Sequence, residues 1–145
     1  MDLSLIEISD TEGESVIVRC HNREEKWVKS ISSVCMGQVE ITAISDKKVY
    51  RLKLDDIYYF EVVDGHSFVY SRSTVFECRQ KLYEFEELSR NSCFFRCSKS
   101  VVLNADKIRF IRPSVSGRFE ATLQNEHKAI ISRQYVPELK RILEL

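Results

Sequence analysis

Hydrophobic and polar residues alternate along much of this chain, the pattern of strands with one buried face. The clearest β signal begins at Val39. Residues 39–44 alternate, and residues 48–54 alternate again through Val49, Arg51 and Lys53. Residues 57–63 and 67–71 are rich in valine and aromatic residues, with Asp64-Gly65-His66 between them. An Asp-Gly pair in that setting predicts a hairpin. A short strand is expected at 74–77. A helix is expected over 78–90, with Leu82, Phe85 and Leu88/Ser89 on its apolar face and Glu84, Glu86 and Glu87 on its solvated side. Cys93-Phe94-Phe95-Arg96 is a short apolar run, and residues 98–104 read as a turn or a short helix. A strand over 107–112 ends at Pro113, and Ser116-Gly117 marks a turn. Residues 118–124 pair with 128–132 around Asn125-Glu126. The chain closes in a helix over 133–145, with Pro137 near its start, where proline is tolerated.

The leading stretch reads differently. Residues 3–8 and 15–20 are each expected as a strand. Asn22 is placed to cap a helix over 23–36, and Gly37 to stop it. Trp27, Ile31 and Val34/Cys35 give that helix one apolar stripe. The expected organisation is a β/α appendage over residues 1–45 and a second unit over 46–145. The predicted class is mainly β with small helices (α+β).

Composition adds that the chain is suited to folding: 43% of its 145 residues are hydrophobic and 30% charged. No apolar stretch approaches the roughly 20 residues of a membrane span. The first residues lack the basic start and apolar run of a secretory signal, so a cytoplasmic location is expected, without membrane insertion. Cys20, Cys35, Cys78, Cys93 and Cys97 form no CxxC pair, so no metal site is expected and most should be free thiols. Cys97 lies between Arg96 and Lys99, a setting that can lower a thiol pKa. A redox-sensing thiol and a packed thiol are both open readings.

Charge changes the picture more. The 22 basic and 22 acidic residues cancel, yet they are unevenly placed. Residues 1–45 hold 4 Lys/Arg against 8 Asp/Glu, residues 46–89 hold 7 against 9, and residues 90–145 hold 11 against 5. An anionic partner would therefore meet the C-terminal part. No nucleophile frame, phosphate-binding glycine loop or metal-ligand spacing appears, so neither an enzyme nor a cofactor is expected. Three turn-like places instead carry polar side chains able to reach a base edge or a phosphate. They are Gly65-His66-Ser67, Arg96-Cys97-Ser98-Lys99-Ser100 and Ser132-Arg133-Gln134-Tyr135.

Four ordered motifs sharpen this. Residues 94–108, beginning Phe94-Phe95-Arg96-Cys97-Ser98-Lys99-Ser100, resemble the central signature of LytTR domains. Asp56-Ile57-Tyr58-Tyr59-Phe60-Glu61 resembles the opening strand of that family, residues 82–88 its helix, and Ile131-Ser132-Arg133-Gln134-Tyr135 its closing motif. The resemblance covers residues 47–145. It implies a β-rich fold that binds double-stranded DNA at paired repeat sites, reads successive major grooves with loops, and regulates transcription. His66, Lys99 and Arg133 match its base-reading positions, with Arg96, Ser98 and Ser100 as backbone-contacting neighbours. Lys99 departs from the asparagine or arginine often found there, so it would serve guanine or phosphate. The alternative is a protein-interaction module or anti-activator that keeps the fold. The residues ahead of the motifs are too few for a receiver domain. They would mediate a homodimer or dock on the chain's own sheet.

Overall fold

The computed structural model describes residues 4, 6–9, 11–12, 15–22, 24–36, 39–90 and 92–145. A helix, α1 (Lys26–Met36), precedes ten strands. Seven strands form one sheet: β1 (Glu40–Ser45), β2 (Lys48–Lys53), β3 (Tyr59–Val63), β4 (His66–Tyr70), β5 (Val75–Cys78), β6 (Phe94–Arg96) and β7 (Val101–Asn104). Their spatial order is β2-β1-β5-β4-β3-β7-β6, every pair antiparallel. A second sheet has the order β10-β9-β8, from β8 (Ile108–Pro113), β9 (Phe119–Leu123) and β10 (Lys128–Ile131). Two short helices complete the fold, α2 (Leu82–Leu88) and α3 (Val136–Ile142). The mainly β class with small helices is thus what the chain adopts.

Turn chemistry sets the hairpins. Asp64 and Gly65 both have positive φ, 49° and 77°, as a two-residue turn between right-twisted strands requires. Asp46 and Lys47, at 48° and 60°, do the same between β1 and β2. The large sheet buries two cores, one on each face. On one face Phe85 of α2 is wholly buried and stacks on Phe60 of β3 at 4.5 Å between ring centroids. Ile41, Val69 and Val102 extend that core. On the other face Phe95, Cys97 and Leu103 meet Ala121, Leu123 and Ile131 of the second sheet and Leu139 of α3.

Several expectations need correction. Residues 98–104 are not a helix, because Val101–Asn104 is strand β7, paired with β3 on one side and β6 on the other. Both of its faces are covered, so three of its four residues are buried and no alternation marks it. The helix expected over 78–90 starts only at Leu82, since Cys78 is held in β5 between Ser67 and Ala43. Glu86 leaves the solvated side of α2 to pair with Arg96. Finally, the described residues of stretches 3–8 and 15–20 enter no sheet. Asn22 does not cap α1: its Oδ1 accepts from the Glu24 amide at 2.9 Å in a turn ahead of the helix, which begins only at Lys26, with the Glu25 carbonyl accepting from the Lys29 amide at 3.1 Å. Arg23 and Gly37, the expected ends of that helix, lie outside the described residues. The large sheet begins at Glu40, upstream of residue 46.

Asn104 joins the two layers. It is 4% exposed, donates through Nδ2 to the Ile57 carbonyl at 2.9 Å and accepts at Oδ1 from the Asp106 amide at 3.0 Å. Replacing it leaves the buried Ile57 carbonyl without this donor, at roughly 1–3 kcal/mol. Asn104→Ala should therefore lose about that much stability in a urea titration, while an exposed change such as Arg72→Ala should lose almost none.

Candidate nucleic-acid interface

The strand directions bring two hairpins to one end of the large sheet. β3 runs toward its turn at Asp64-Gly65, and the register Glu61↔Val101 puts the start of β7 beside the end of β3. The β6–β7 loop, residues 97–100, therefore neighbours the β3–β4 turn. Three backbone hydrogen bonds fix this edge. The Cys97 amide donates to the Val101 carbonyl at 3.0 Å, closing the β6–β7 loop. The Val62 amide donates to the Ser100 carbonyl at 2.9 Å, tying that loop to β3. The Ser132 amide donates to the Cys97 carbonyl at 2.8 Å, tying in the loop after β10.

The six expected side chains fall into two groups along this edge. His66, Lys99 and Arg133 are exposed, one on each loop. His66 opens β4, with Nδ1 3.5 Å from Glu77 Oε1. Lys99 stands at the tip of the β6–β7 loop. Arg133 starts a 3-10 turn, residues Arg133–Tyr135, whose Tyr135 amide donates back to the Ser132 carbonyl at 2.9 Å. Among the described residues neither Lys99 nor Arg133 forms an ion pair.

Arg96, Ser98 and Ser100 are half-buried and turned to the loop itself. The Arg96 guanidinium pairs with Glu86, donates to the Ser98 carbonyl at 3.0 Å and donates to the Lys99 carbonyl. Ser98 Oγ accepts from the Ser100 amide at 3.3 Å. These groups set the shape of the loop that carries Lys99.

Arg118 is a cation that motif reading passed over. It is exposed, forms no ion pair among the described residues, and follows a turn in which Ser116 and Gly117 have φ of 59° and 74°. A methyl group on Gly117 would lie 3.1 Å from Cδ of Arg133, so the Arg133 stem runs across the glycine. Arg118 and Arg133 thus share one corner. The signal was present as an arginine directly after Ser116-Gly117, but only tertiary contact shows which edge that turn joins.

Cys97 is a packed thiol. It is 1% exposed, and its pKa is pushed up to about 12 by burial, which disfavours the thiolate; the nearby Arg96 charge opposes that only weakly. Of the two readings open for Cys97, burial favours the packed thiol. Burial likewise raises Cys93 to about 12 and Cys78 to about 11.

The family model for the LytTr DNA-binding domain matches residues 47–144. The chain belongs to the LytTr DNA-binding domain family. A transcriptional regulatory protein, YpdB of Escherichia coli, is 29% identical over 106 residues, covering 72% of this chain and 43% of that protein. A sensory transduction protein, LytT of Enterococcus faecalis, is 27% identical over 124 residues, covering 86% and 48%. The chain therefore spans less than half the length of either relative. A solved LytTr DNA-binding domain from Bacillus cereus superposes with a TM-score of 0.70 at 22% identity, covering 75% of this chain and all of that domain. That likeness establishes the LytTr fold. No helix among the described residues is long and apolar enough to cross a membrane.

Thiol chemistry checks the LytTr core. At pH 8 a thiol of pKa about 12 is ionised in roughly one molecule in ten thousand. Iodoacetamide should therefore label exposed Cys35 readily in the native protein. It should label Cys97 and Cys78 only after denaturation, as read by peptide mass spectrometry.

Proposed function

We propose that the chain regulates transcription by binding double-stranded DNA through this loop edge. What supports the reading most is the convergence of His66, Lys99 and Arg133 on one edge by backbone hydrogen bonds, two of them cations without an ion pair among the described residues. Loops of this size, carried on rigid strands, can enter major grooves without a recognition helix. Arg133 presents a planar fork able to bond both acceptors of a guanine edge. His66 offers one donor or acceptor to a neighbouring base. Lys99, a compact point charge, serves phosphate, as does Arg118. Arg96, Ser98 and Ser100 act as positioning residues that hold Lys99 in place.

In this reading two copies act on paired repeat sites, each presenting one such edge to successive major grooves roughly 34 Å apart along the duplex. The homodimer is favoured by exposed apolar surface in the leading part of the chain: Ile31 and Val34 on α1 are 36% and 73% exposed.

Fluorescence anisotropy with a duplex selected from a random-sequence pool tests the assignment. Affinity should fall steeply with salt, in proportion to the phosphates contacted. Arg133→Ala should cost about 1–3 kcal/mol and relax sequence preference. Lys99→Ala should weaken all duplexes alike and lower the salt slope by about one. Retention of affinity and preference by Arg133→Ala would remove it from the reading set.

A related test concerns the Arg118–Arg133 corner. Gly117→Ala should cost about 1 kcal/mol of stability because φ is +74° there. It should also weaken duplex binding by displacing the Arg133 stem, measured in the same titration.

A further inference from the structure

A carboxylate beside a surface that meets phosphate weakens binding by repulsion. Glu77 nonetheless stands next to His66. Its Oε1 lies 3.5 Å from His66 Nδ1, and among the described residues His66 is the one basic side chain it pairs with. Lys99, Arg118 and Arg133 form no ion pair among those residues, so of these four side chains only the histidine is held by a carboxylate.

The sheet fixes both residues. Glu77 belongs to β5, an interior strand, where it opposes Phe68 of β4 on one side and Ile44 of β1 on the other. The next residue, Cys78, is buried and opposes Ser67. His66 opens β4 opposite Val63 of β3, directly after the Asp64-Gly65 turn. Residues 66 and 68 share one face of β4, which makes His66 the diagonal neighbour of Glu77. The backbone thus sets the two side chains within reach, and a small rotation of either brings them to hydrogen-bond length. They remain 66% and 58% exposed, so the far side of the imidazole stays open to a ligand.

An imidazole reads a base through the nitrogen that points away from the protein. A neutral ring has one N–H donor and one bare acceptor nitrogen. A carboxylate only accepts, so it selects the form whose hydrogen lies on the nitrogen facing it. Glu77 faces Nδ1. The hydrogen then sits on Nδ1, and Nε2 keeps a lone pair. In the major groove that lone pair finds a hydrogen only on N6 of adenine or N4 of cytosine. Guanine O6 and N7 and thymine O4 are acceptors and repel it. A ring without such a partner prefers the opposite form, with its hydrogen on Nε2.

We propose that Glu77 is a positioning residue that sets the specificity of His66: it holds the ring in the Nδ1–H form, so that His66 reads an amino-bearing base, adenine or cytosine. The proposal rests on the base-reading role given to His66 above and states what that residue reads.

Two measurements at pH 8, where an ordinary imidazole is neutral, test it. The first uses the protein alone. Long-range proton–nitrogen correlation spectra distinguish the two ring forms, and the His66 signals are those missing from His66→Ala. The wild type should show mainly the Nδ1–H form, and Glu77→Ala mainly the Nε2–H form. A wild type mainly in the Nε2–H form, or a form unchanged in Glu77→Ala, would overturn the proposal. Both residues are exposed, and unchanged circular dichroism verifies folding of each variant.

The second measurement titrates the selected duplex and its single base-pair variants by fluorescence anisotropy. The position whose preference disappears in His66→Ala is the one His66 reads. There the wild type should favour adenine or cytosine over guanine or thymine by about fivefold, the worth of one net hydrogen bond. Glu77→Ala should lose that margin while binding every duplex more tightly, because it drops a negative charge. A role through charge alone moves all duplexes together; a margin kept intact in Glu77→Ala would overturn the proposal and leave His66 as a base reader. A His66→Ala variant with unaltered preference at every position would overturn the base-reading role itself, and the proposal with it.

Discussion

The hydrogen bond from the Ser132 amide to the Cys97 carbonyl, 2.8 Å long, is the constraint on which the candidate edge depends. Cys97 is buried, so its carbonyl cannot turn to water and must find a donor within the protein. Meeting that need brings the loop after β10 against the β6–β7 loop, although the two belong to different sheets. The next link, from Val62 to the Ser100 carbonyl, extends the same row to the β3–β4 hairpin. Three loops far apart in sequence are thereby held by main-chain bonds. Their exposed side chains can vary without loosening the scaffold.

The partition of charge follows the same logic. Arg96 and Lys99 are three residues apart and formally alike, yet one is spent internally and the other is free. Arg96 lies over Glu86 of α2 and spends its remaining donors on the carbonyls of its own loop. Lys99 sits past the end of the strand, where no carboxylate among the described residues pairs with it. The neutral total thus conceals two kinds of surface. Among the described residues Lys99, Arg118 and Arg133 form no ion pair, whereas Arg109 and Arg112 on β8 are matched by Glu126 and Glu120.

Burial also decides the chemistry of the thiols. A basic neighbour lowers a thiol pKa only where the thiolate can be solvated or closely paired. Cys97 faces the core between the two sheets, and desolvation outweighs the arginine next to it in sequence. It therefore behaves as a small apolar side chain in the layer that supports Ser132 and Arg133.

Periodicity by itself determined the β-rich class, the Asp64-Gly65 hairpin, the β9–β10 pair and the closing helix, because those elements show one face to water and carry the imprint of it. The motif at residues 94–108 likewise singled out the β6–β7 loop as a candidate before any contact was known. Tertiary structure alone decided that Val101–Asn104 is a strand, since a segment covered on both faces loses alternation. It alone set Cys78 in β5 instead of α2, joined Arg118 to the corner of Arg133, and turned Arg96 inward. In each case the deciding partner is distant in the chain, and local spacing holds no record of a contact made across the fold.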